Sequence, residues 1–475
     1  MKILSFLLLL VLAGCFSGCR QEERETVYRP GTDLLEQAYT TFREESLSER
    51  RFKHQNIEPL IRKRMEGSSF RVEELGKSVE QRAIYQLTYG KGPVKVMLWS
   101  QMHGDESTAT MALFDLFNFL EGRNDDFDTL RSLLAENTTL FFIPMLNPDG
   151  AEAFKRRNAY GFDINRDAAR TASPEARILK QARDNVIPDF GFNLHDQSIY
   201  YNVKGTPKPA TISVLAPAFD EEVNMNEVRK SAMKVIVGMN ELLQQYIPGG
   251  VGKYDDSFYP TAFGDNFQKW GTSTILIESG GYNDDPEKQF IRKLNFMVIL
   301  KALTDIATGA YQDYGETRYF DIPDNDNQLT DLLIRHLQVQ RDSAAYLTDI
   351  SIKQGNSSVT RDASFIEDLG DLSVLYGYEE LDAEGFQWQA GKLYEQTYAS
   401  AAEINQEEAL SLLRKGYSAV RVASPGGEAK ELPLIILYEK AYKPSRPQIG
   451  EKGTFFISKN GRPHYAVVRG KLIKL

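Results

Sequence analysis

Four strongly apolar runs, each about as long as one β-strand, constrain the fold of this chain more than any other feature. Segments with helical spacing separate them, among them Thr108–Leu120 and Pro286–Thr308; the second has Asp285 as an N-cap and Gly309 just past its end. Strands that are apolar throughout must be covered on both faces, so the alternation predicts an α/β fold. The four runs are Val94–Ser100, Thr139–Met145, Phe190–His195 and Thr272–Glu278.

The sequence changes character after Gly309. Residues 321–328 are rich in Asp and Asn and are typical of a linker or a long turn. The segments beyond them are shorter and alternating, and Asn460–Gly461 between two strand-like runs is a strong hairpin signal. We therefore predict an α/β domain over residues 20–315 and a smaller C-terminal β-rich domain over residues 320–475. No motif is visible in the second domain, so we expect it to be a structural cap.

The first nineteen residues have the pattern of an export signal. Lys2 precedes an apolar run that is too short to span a bilayer, and the sequence turns abruptly polar at Arg20. Leu12–Cys15 resembles the lipobox of bacterial lipoproteins, in which the cysteine is lipidated, and Cys19 is a weaker second candidate. We expect residues 1–19 to direct the chain out of the cytoplasm. The protein would then be a lipoprotein of the periplasm or cell surface that contacts the membrane only through the lipid.

Composition excludes two classes of function. The formal net charge of −10 argues against a nucleic-acid partner, because such binding depends on Lys and Arg neutralising phosphates. The two cysteines both fall in the N-terminal signal, which excludes a disulfide framework and a cysteine metal site in the body of the chain. Histidine and carboxylate groups therefore remain as the metal ligands. The oligomeric state is left open.

Two of the five histidines, His103 and His195, lie at or just after the ends of strand-like runs, where open α/β sheets place their sites. His103 and Glu106 form a His-x-x-Glu pair that can present an imidazole nitrogen and a carboxylate to one cation. His195 is the natural third ligand, and three protein ligands that leave a fourth position for water are typical of catalytic zinc. A His-x-x-Glu pair alone also arises by chance from two surface residues.

The order of several blocks makes the zinc hypothesis stronger. Over residues 55–310 the chain resembles the zinc carboxypeptidase family, the carboxypeptidase A-like metallopeptidases. The resemblance implies a mixed, largely parallel sheet with helices on both faces, and it extends to a leading stretch at Gly76–Arg82. The five matching blocks are His103–Glu106, Asn147–Gly150, Arg156–Asp167, His195 and Glu278.

The resemblance implies a role for each residue of the metal centre. His103, Glu106 and His195 would bind one zinc ion per chain, and Asp163 would accept the other ring N–H of His103. Glu278 would be the general base that takes a proton from the attacking water and later delivers it to the leaving amine. Asp163 could instead be a plain turn residue.

The resemblance also implies the residues that bind substrate. Arg156 would stabilise the oxyanion, with Arg157 as its alternative, although both could belong to a solvated charge run. Asn165, if it is more than a turn residue, and Arg166 would hold the C-terminal carboxylate of the substrate. Tyr259 is the candidate for the family's mobile tyrosine, and Phe263 could fill that space instead. Gly264 lies near the side-chain pocket, and an uncharged residue there argues weakly against a strict preference for basic residues.

These roles predict a zinc metallocarboxypeptidase that hydrolyses C-terminal bonds of extracytoplasmic peptides. A murein stem-peptide peptidase of the γ-D-glutamyl-diaminopimelate type is one alternative. An N-acyl amino-acid deacylase would use the same fold and metal, but the export signal argues against it. An inactive binding module is the last alternative, and the presence of Glu278 argues against that.

Overall fold

The computed structural model describes residue 28 and residues 30–354, 364–424, 432–438, 442 and 446–475. The export signal of residues 1–19, with Cys15 and Cys19, lies outside the described residues and stays a prediction. Within the described ranges, no helix is both long enough and apolar enough to cross a membrane. The α-helices of these ranges are α1 Thr32–Phe42, α2 His54–Arg62, α3 Thr108–Glu121, α4 Asp128–Asn137, α5 Pro148–Ala153, α6 Pro174–Val186, α7 Glu227–Tyr246, α8 Phe263–Lys269, α9 Gln289–Thr308 and α10 Gln406–Arg414.

The strands divide between the two parts of the chain, nine of those described lying before residue 300. The first part contains β1 Arg71–Lys77, β2 Ala83–Gly90, β3 Val94–Ser100, β4 Thr138–Ile143, β5 Phe190–Asp196, β6 Asn202–Val203, β7 Ile212–Leu215, β8 Val251–Lys253 and β9 Ser273–Ser279. The second part contains β10 Asn325–Asp326, β11 Leu329–Arg341, β12 Ala344–Gln354, β13 Ser364–Gly370, β14 Tyr376–Asp382, β15 Gln387–Gln389, β16 Lys392–Ser400, β17 Tyr417–Ser424, β18 Ile435–Leu437, β19 Phe455–Lys459, β20 Arg462–Val468 and β21 Lys471–Lys474.

An eight-stranded sheet with the order β1-β2-β4-β3-β5-β9-β7-β8 forms the framework of the first part. Its centre, β4-β3-β5-β9, is parallel throughout, whereas β1, β2 and β7 introduce antiparallel pairs. The four apolar runs of the sequence are these central strands. The predicted α/β fold, with a mixed, largely parallel sheet, is confirmed.

Both faces of the sheet are covered, as the apolar runs predicted. In β3, Val96 and Leu98 pack into the larger core with α1, α3, α7 and α9. Met97 and Trp99 point the other way and pack with α6 and α8, where Phe267 stacks on Trp99 with a centroid distance of 4.3 Å. Because successive side chains of a strand alternate in direction, a strand buried on both faces is apolar throughout.

Helix α9 begins at Gln289, so the predicted start at Pro286 is wrong. The carboxylate of Asp285 does cap the helix, accepting hydrogen bonds from the backbone N–H groups of Gln289, Phe290 and Ile291. Lys288 has a left-handed backbone with φ of 50°, which cannot continue into a helix. The buried Lys288 ammonium instead donates to the Ser279 carbonyl at the end of β9.

The C-terminal part is β-rich, as predicted. Strands β13-β12-β11-β15-β19-β20-β21 form a second sheet in that order, with β14 beside β11, and β16-β17-β18 form a three-stranded sheet. The Asn460–Gly461 hairpin is confirmed: both residues have positive φ, and Lys459 pairs with Arg462 across the turn. The domain boundary between residues 315 and 320 stays a prediction.

Residues 321–328 are not a free linker. Strand β10 in this segment pairs with β6 in the first part, with Asn325 opposite Val203. Ile322 and the preceding Tyr319 are buried in the larger core of the first part. The connection between the two parts is therefore attached to the sheet that carries the site.

Candidate active site

The central strands bring the predicted metal ligands and the predicted base to one edge of the sheet. In the register of β5 and β9, His195 lies directly opposite Glu278, so their side chains point to the same face. His103 follows the end of β3, the other neighbour of β5. Parallel strands place their C-terminal ends together, which explains why residues 175 positions apart in the sequence meet here.

His103, Glu106 and His195 form a tight cluster of ligand atoms. Nδ1 of His103 lies 2.7 Å from one Glu106 oxygen, and Nδ1 of His195 lies 2.6 Å from the other. All three side chains offer a ligand atom within 4.8 Å of one another, and all three residues are buried. Two imidazoles and one carboxylate are a donor set of catalytic zinc sites, so the residues present fit this metal.

Asp163 and Arg156 surround the cluster. The other ring nitrogen of His103, Nε2, lies 3.1 Å from Asp163, which fixes the orientation of the ring so that Nδ1 faces Glu106. Asp163 also accepts the backbone N–H of Asn165, so it is a turn residue as well as a partner of His103. The Arg156 guanidinium donates to Asp163 at 3.0 Å and to Glu106 at 3.3 Å, at the edge of the cluster.

The carboxylates and the imidazoles shift one another's pKa values. Burial alone lowers the pKa of His103, but the charges of Glu106 and Asp163 outweigh it and raise that pKa to about 9. Burial lowers the pKa of His195 in spite of the adjacent Glu106. Although burial opposes it, the two histidines hold the pKa of Glu106 well below its ordinary value. The Glu106 carboxylate is therefore ionised and ready to bind a cation.

Glu278 faces the same cleft as the three ligands. Its Oε2 atom is buried and has no hydrogen-bond partner among the described residues. Burial and the nearby charge of Glu106 raise the pKa of Glu278 well above its ordinary value. A buried carboxylate without a donor is costly, and a raised pKa suits a group that must take up a proton.

A cleft of about 280 Å³ connects the cluster to the predicted substrate residues. Asn165, Arg166 and Tyr259 line this cleft together with Arg156 and Glu278. The exposed Arg166 guanidinium lies 5.3 Å from the centre of the Tyr259 ring, and the side-chain oxygen of Asn165 accepts the N–H of Phe263.

The structure distinguishes Arg156 from its alternative Arg157, and Tyr259 from its alternative Phe263, by their positions relative to the cleft. The exposed Arg157 donates to the Gly161 carbonyl and is absent from the cleft lining, whereas Arg156 belongs to it. Phe263 is fully buried against Phe267, whereas Tyr259 is 47% exposed at the cleft. Arg156 and Tyr259 therefore line the cleft, whereas Arg157 and Phe263 do not.

Residues 61–186 match the family model described as zinc carboxypeptidase. This part of the chain is similar to the zinc carboxypeptidase family. An uncharacterized protein of Zymomonas mobilis is 32% identical over 132 residues, which are 27% of this chain and 34% of the relative. Carboxypeptidase SOL1 of Arabidopsis thaliana is 32% identical over 103 residues, 20% of this chain and 21% of that protein. The chain thus covers no more than 34% of either relative's length.

Solved structures of carboxypeptidases align with a larger share of the chain. A metallo-carboxypeptidase from Burkholderia cenocepacia aligns with a TM-score of 0.42 and 20% identity, covering 55% of this chain and 69% of that one. Carboxypeptidase A from Helicoverpa armigera aligns with a TM-score of 0.43 and 15% identity, covering 58% and 80%. The similarity to the zinc carboxypeptidase family rests on the sequence match over residues 61–186.

The Asn147–Gly150 block supports the candidate metal site without lining the cleft. Asn147 donates to the carbonyls of Met102 and Arg156 and so ties the His103 turn to the Arg156 segment. Gly104 and Gly150 approach so closely that a Cβ on Gly104 would lie 1.9 Å from the Gly150 backbone. A side chain at Gly104 would therefore push the turn that carries His103 and Glu106 away from the Asn147–Gly150 turn.

The leading stretch at Gly76–Arg82 is bound to the same turns. Asp149 accepts hydrogen bonds from the Ser78 hydroxyl, the Glu80 N–H and the Arg82 guanidinium. The stretch therefore supports the Asn147–Gly150 turn, which explains why it accompanies the metal ligands in the sequence.

Asp196, the residue after His195, has one carboxylate oxygen surrounded by donors. One carboxylate oxygen lies 2.6 Å from the Thr108 hydroxyl, 3.2 Å from the Lys288 ammonium and 3.3 Å from the Arg50 guanidinium. Burial lowers the pKa of Lys288 to about 8 in spite of this partner. The Asp196 backbone N–H donates to Glu106 and so helps to hold this candidate metal ligand in place.

Two groups in the cleft were missed by the sequence analysis. Asp265, next to the uncharged Gly264, lines the cleft with its carboxylate, and burial raises its pKa to about 6. Asn193 on β5 also lines the cleft, and its buried side-chain oxygen accepts no hydrogen bond from the residues that the structure describes. Gly264 leaves room beside Asn193, since a Cβ there would lie 3.1 Å from the Asn193 amide nitrogen. The turn that precedes α8 determines which way Asp265 faces, and the sequence does not show how this turn folds.

Proposed function

We propose that this chain is a zinc-dependent metallocarboxypeptidase that removes C-terminal residues from peptides. One observation carries the proposal: the ligand atoms of His103, Glu106 and His195 converge within 4.8 Å, beside the unpartnered carboxylate oxygen of Glu278. When bound, zinc supplies a Lewis acid that polarises the scissile carbonyl and lowers the pKa of water at the site.

The other steps fall to residues of the chain. Glu278 takes a proton from the attacking water at its free oxygen and passes it to the leaving amine, for which its raised pKa is suited. Arg156 is half exposed at the rim of the metal cluster, where its guanidinium can donate to the oxyanion that develops from the carbonyl. Asp163 keeps both Arg156 and the His103 ring in these orientations.

Arg166 and Asn165 make the proposed enzyme an exopeptidase. Both line the cleft, and Arg166 has no carboxylate partner within ion-pair distance among the described residues. A guanidinium can bind the two oxygens of a substrate's C-terminal carboxylate in a planar, bidentate pair. Tyr259, exposed beside Arg166, would cover the bound residue.

We propose that the enzyme prefers substrates whose C-terminal residue has a cationic side chain. Asp265 offers a carboxylate and Asn193 a buried oxygen without a donor, and both face the cleft. A buried acceptor is stabilised by a substrate group that donates to it, and an ammonium or guanidinium also carries a compensating charge. The same observation favours a second candidate, a murein stem-peptide peptidase, because diaminopimelate has an amino group on its side chain.

We propose an extracytoplasmic location with a lipid on Cys15, which rests on the sequence of residues 1–19. Expression in a bacterial host with a labelled fatty acid tests it. Cys15→Ser should abolish labelling of the chain, whereas Cys19→Ser should leave the label in place. Labelling that is lost only in Cys19→Ser would assign the second candidate.

A panel of small substrates tests the proposed reaction. The panel contains a peptide ending in Lys as the free acid, the same peptide as the amide, γ-D-glutamyl-diaminopimelate and an N-acetyl amino acid. Release of lysine from the free acid but not from the amide supports the carboxypeptidase. Hydrolysis of only the N-acetyl compound would assign a deacylase, and binding without hydrolysis would assign a binding module.

A further inference from the structure

The segment directly after the ligand His195 forms one side of the cleft. Gln197, Ser198 and Tyr201 line the cleft over the metal cluster, and Ile199 lines an adjoining depression beside Arg156. We refer to residues 197–201 as the cleft wall. Because the wall lies beside the metal cluster, it is available to contact a peptide that extends past the cluster.

The first part of the chain fixes the two ends of the cleft wall. The Gln197 N–H donates to the Ser279 carbonyl at the end of β9, and the Gln197 side chain donates to Ala210. At the other end, the Tyr201 carbonyl accepts the Ala210 N–H. These bonds leave Ile199 and Tyr200, the middle of the wall, to be held by other partners.

The C-terminal β-rich part supplies those partners. The Tyr200 hydroxyl lies 2.6 Å from a carboxylate oxygen of Asp331 on β11, and the Tyr200 carbonyl accepts the N–H of Leu329. The Lys353 ammonium lies 4.5 Å from the centre of the Tyr200 ring. Tyr200 is buried, so a variant that lacks its hydroxyl leaves Asp331 without this donor.

Tyr378 on β14 makes an independent contact with the cleft wall. Its hydroxyl donates to the Ile199 carbonyl at 2.5 Å. The approach requires glycine at residue 281, since a Cβ there would lie 2.4 Å from that hydroxyl oxygen. Gly281 follows the strand that carries Glu278, so the Tyr378 hydroxyl lies between the wall and the end of the base strand.

We propose that the C-terminal β-rich part is a component of the substrate-binding apparatus, which positions the cleft wall through Tyr200, Asp331 and Tyr378. This inference rests on the proposed peptidase function and replaces the expectation of a structural cap. Tyr200 and Asp331 are positioning residues, because they act on substrate through the wall. Longer peptides, which contact more of the wall, depend on it more than dipeptides do.

The test measures KM and kcat of the full chain for a dipeptide and a tetrapeptide with the same C-terminal residue. In Tyr200→Phe, the KM for the tetrapeptide should rise about tenfold, as expected when one buried hydrogen bond to a carboxylate is lost. The KM for the dipeptide should change less, and kcat and zinc content should stay as in the wild type. Tyr378→Phe should shift the same KM in the same direction.

Tyr398→Phe is the matched control. The Tyr398 hydroxyl also donates to a carboxylate, Glu408, at 2.6 Å within the C-terminal part, but it lies outside the cleft lining and the adjoining depression. A role in stability alone would affect both variants alike. If Tyr200 and Asp331 act as a pair, the double variant Tyr200→Phe with Asp331→Asn should have nearly the same KM for the tetrapeptide as either single variant.

Hydrogen exchange gives a second readout that does not depend on activity. The backbone amides of residues 197–201 should exchange faster in Tyr200→Phe and at the wild-type rate in Tyr398→Phe. Unchanged KM and unchanged exchange in Tyr200→Phe would overturn the inference. If the wild-type chain released no C-terminal residue, the proposed function would fail, and the exchange rates would still decide whether Tyr200 positions the wall.

Discussion

The half of the cleft around the candidate metal ligands and the half lined by Arg166 and Tyr259 are built in different ways. His103 and His195 are each 2% exposed and are held by Glu106, which bonds both of them. Across the cleft, Tyr259 is 47% exposed, and the Arg166 guanidinium donates to the Asn165 carbonyl and lies over the Tyr259 ring. The metal ligands are held in place by one another, whereas the exposed side chains of Arg166 and Tyr259 can still move.

The difference follows from the elements that carry each half. The metal ligands and Glu278 lie on or beside strand ends, where the register of the central strands determines their spacing. Arg166 and Tyr259 lie on connections between elements, where exposed side chains can adjust to a substrate. Chemistry that needs fixed geometry is thus on the rigid elements, and recognition is on the loops.

The largest loss of activity should follow a substitution in the half of the cleft that carries the metal ligands and Glu278. Glu278→Gln keeps the size and polarity of the side chain but removes the base, so kcat should fall by about a hundredfold to ten-thousandfold. Zinc content should not change, because Glu278 is not among the clustered ligands. Glu152→Gln, on the surface beside Lys53, is the control and should behave as the wild type. A near wild-type kcat in Glu278→Gln would mean that another group is the base.

Substitution of Asp265, in the half of the cleft lined by Arg166 and Tyr259, should change kcat/KM less than the loss of Glu278 changes kcat. Asp265→Asn should lower the preference in kcat/KM for C-terminal Lys over Leu by about tenfold to a hundredfold, since one charged hydrogen bond is lost. Activity on the peptide ending in Leu should stay close to the wild-type value. An unchanged Lys-to-Leu ratio would show that Asp265 does not contact the side chain.

The same preference should depend on pH in the wild type. The pKa of Asp265 is raised to about 6 by burial, so the negative charge is present above this pH and is lost as the pH falls through it. The Lys-to-Leu ratio should therefore decline below about pH 6. In Asp265→Asn the ratio should be flat over the same range, and a parallel decline in that variant would assign the titration to another group.

The smallest effect is expected at exposed Arg166. Arg166→Ala should raise the KM for a free-acid peptide about tenfold or less, because a partly solvated ion pair is worth little. Binding of the matching amide, measured as competitive inhibition, should be nearly unaffected. Arg157→Ala, an exposed arginine absent from the cleft lining, is the matched control. Equal losses with free acid and amide would reject the carboxylate contact.

The same division explains what the sequence could predict. The apolar strands predicted the central sheet, and the histidines at their ends predicted the cluster of His103, Glu106 and His195, because a parallel sheet brings strand ends together. The role of Glu278 came only from the resemblance to the zinc carboxypeptidase family. Asp265 was missed because its approach to the cleft depends on the turn before α8. The attachment of residues 321–328 to the first sheet was also missed, since a two-residue strand such as β10 has no recognisable pattern.

Zinc-dependent release of a C-terminal residue is the most direct test of the central claim. Hydrolysis of a free-acid peptide ending in Lys should be measured on the purified chain, on the chain after chelation and dialysis, and after one equivalent of zinc is returned. The account predicts release of lysine by the first and third samples and none by the second. Undiminished release from the chelated, zinc-free chain would contradict it.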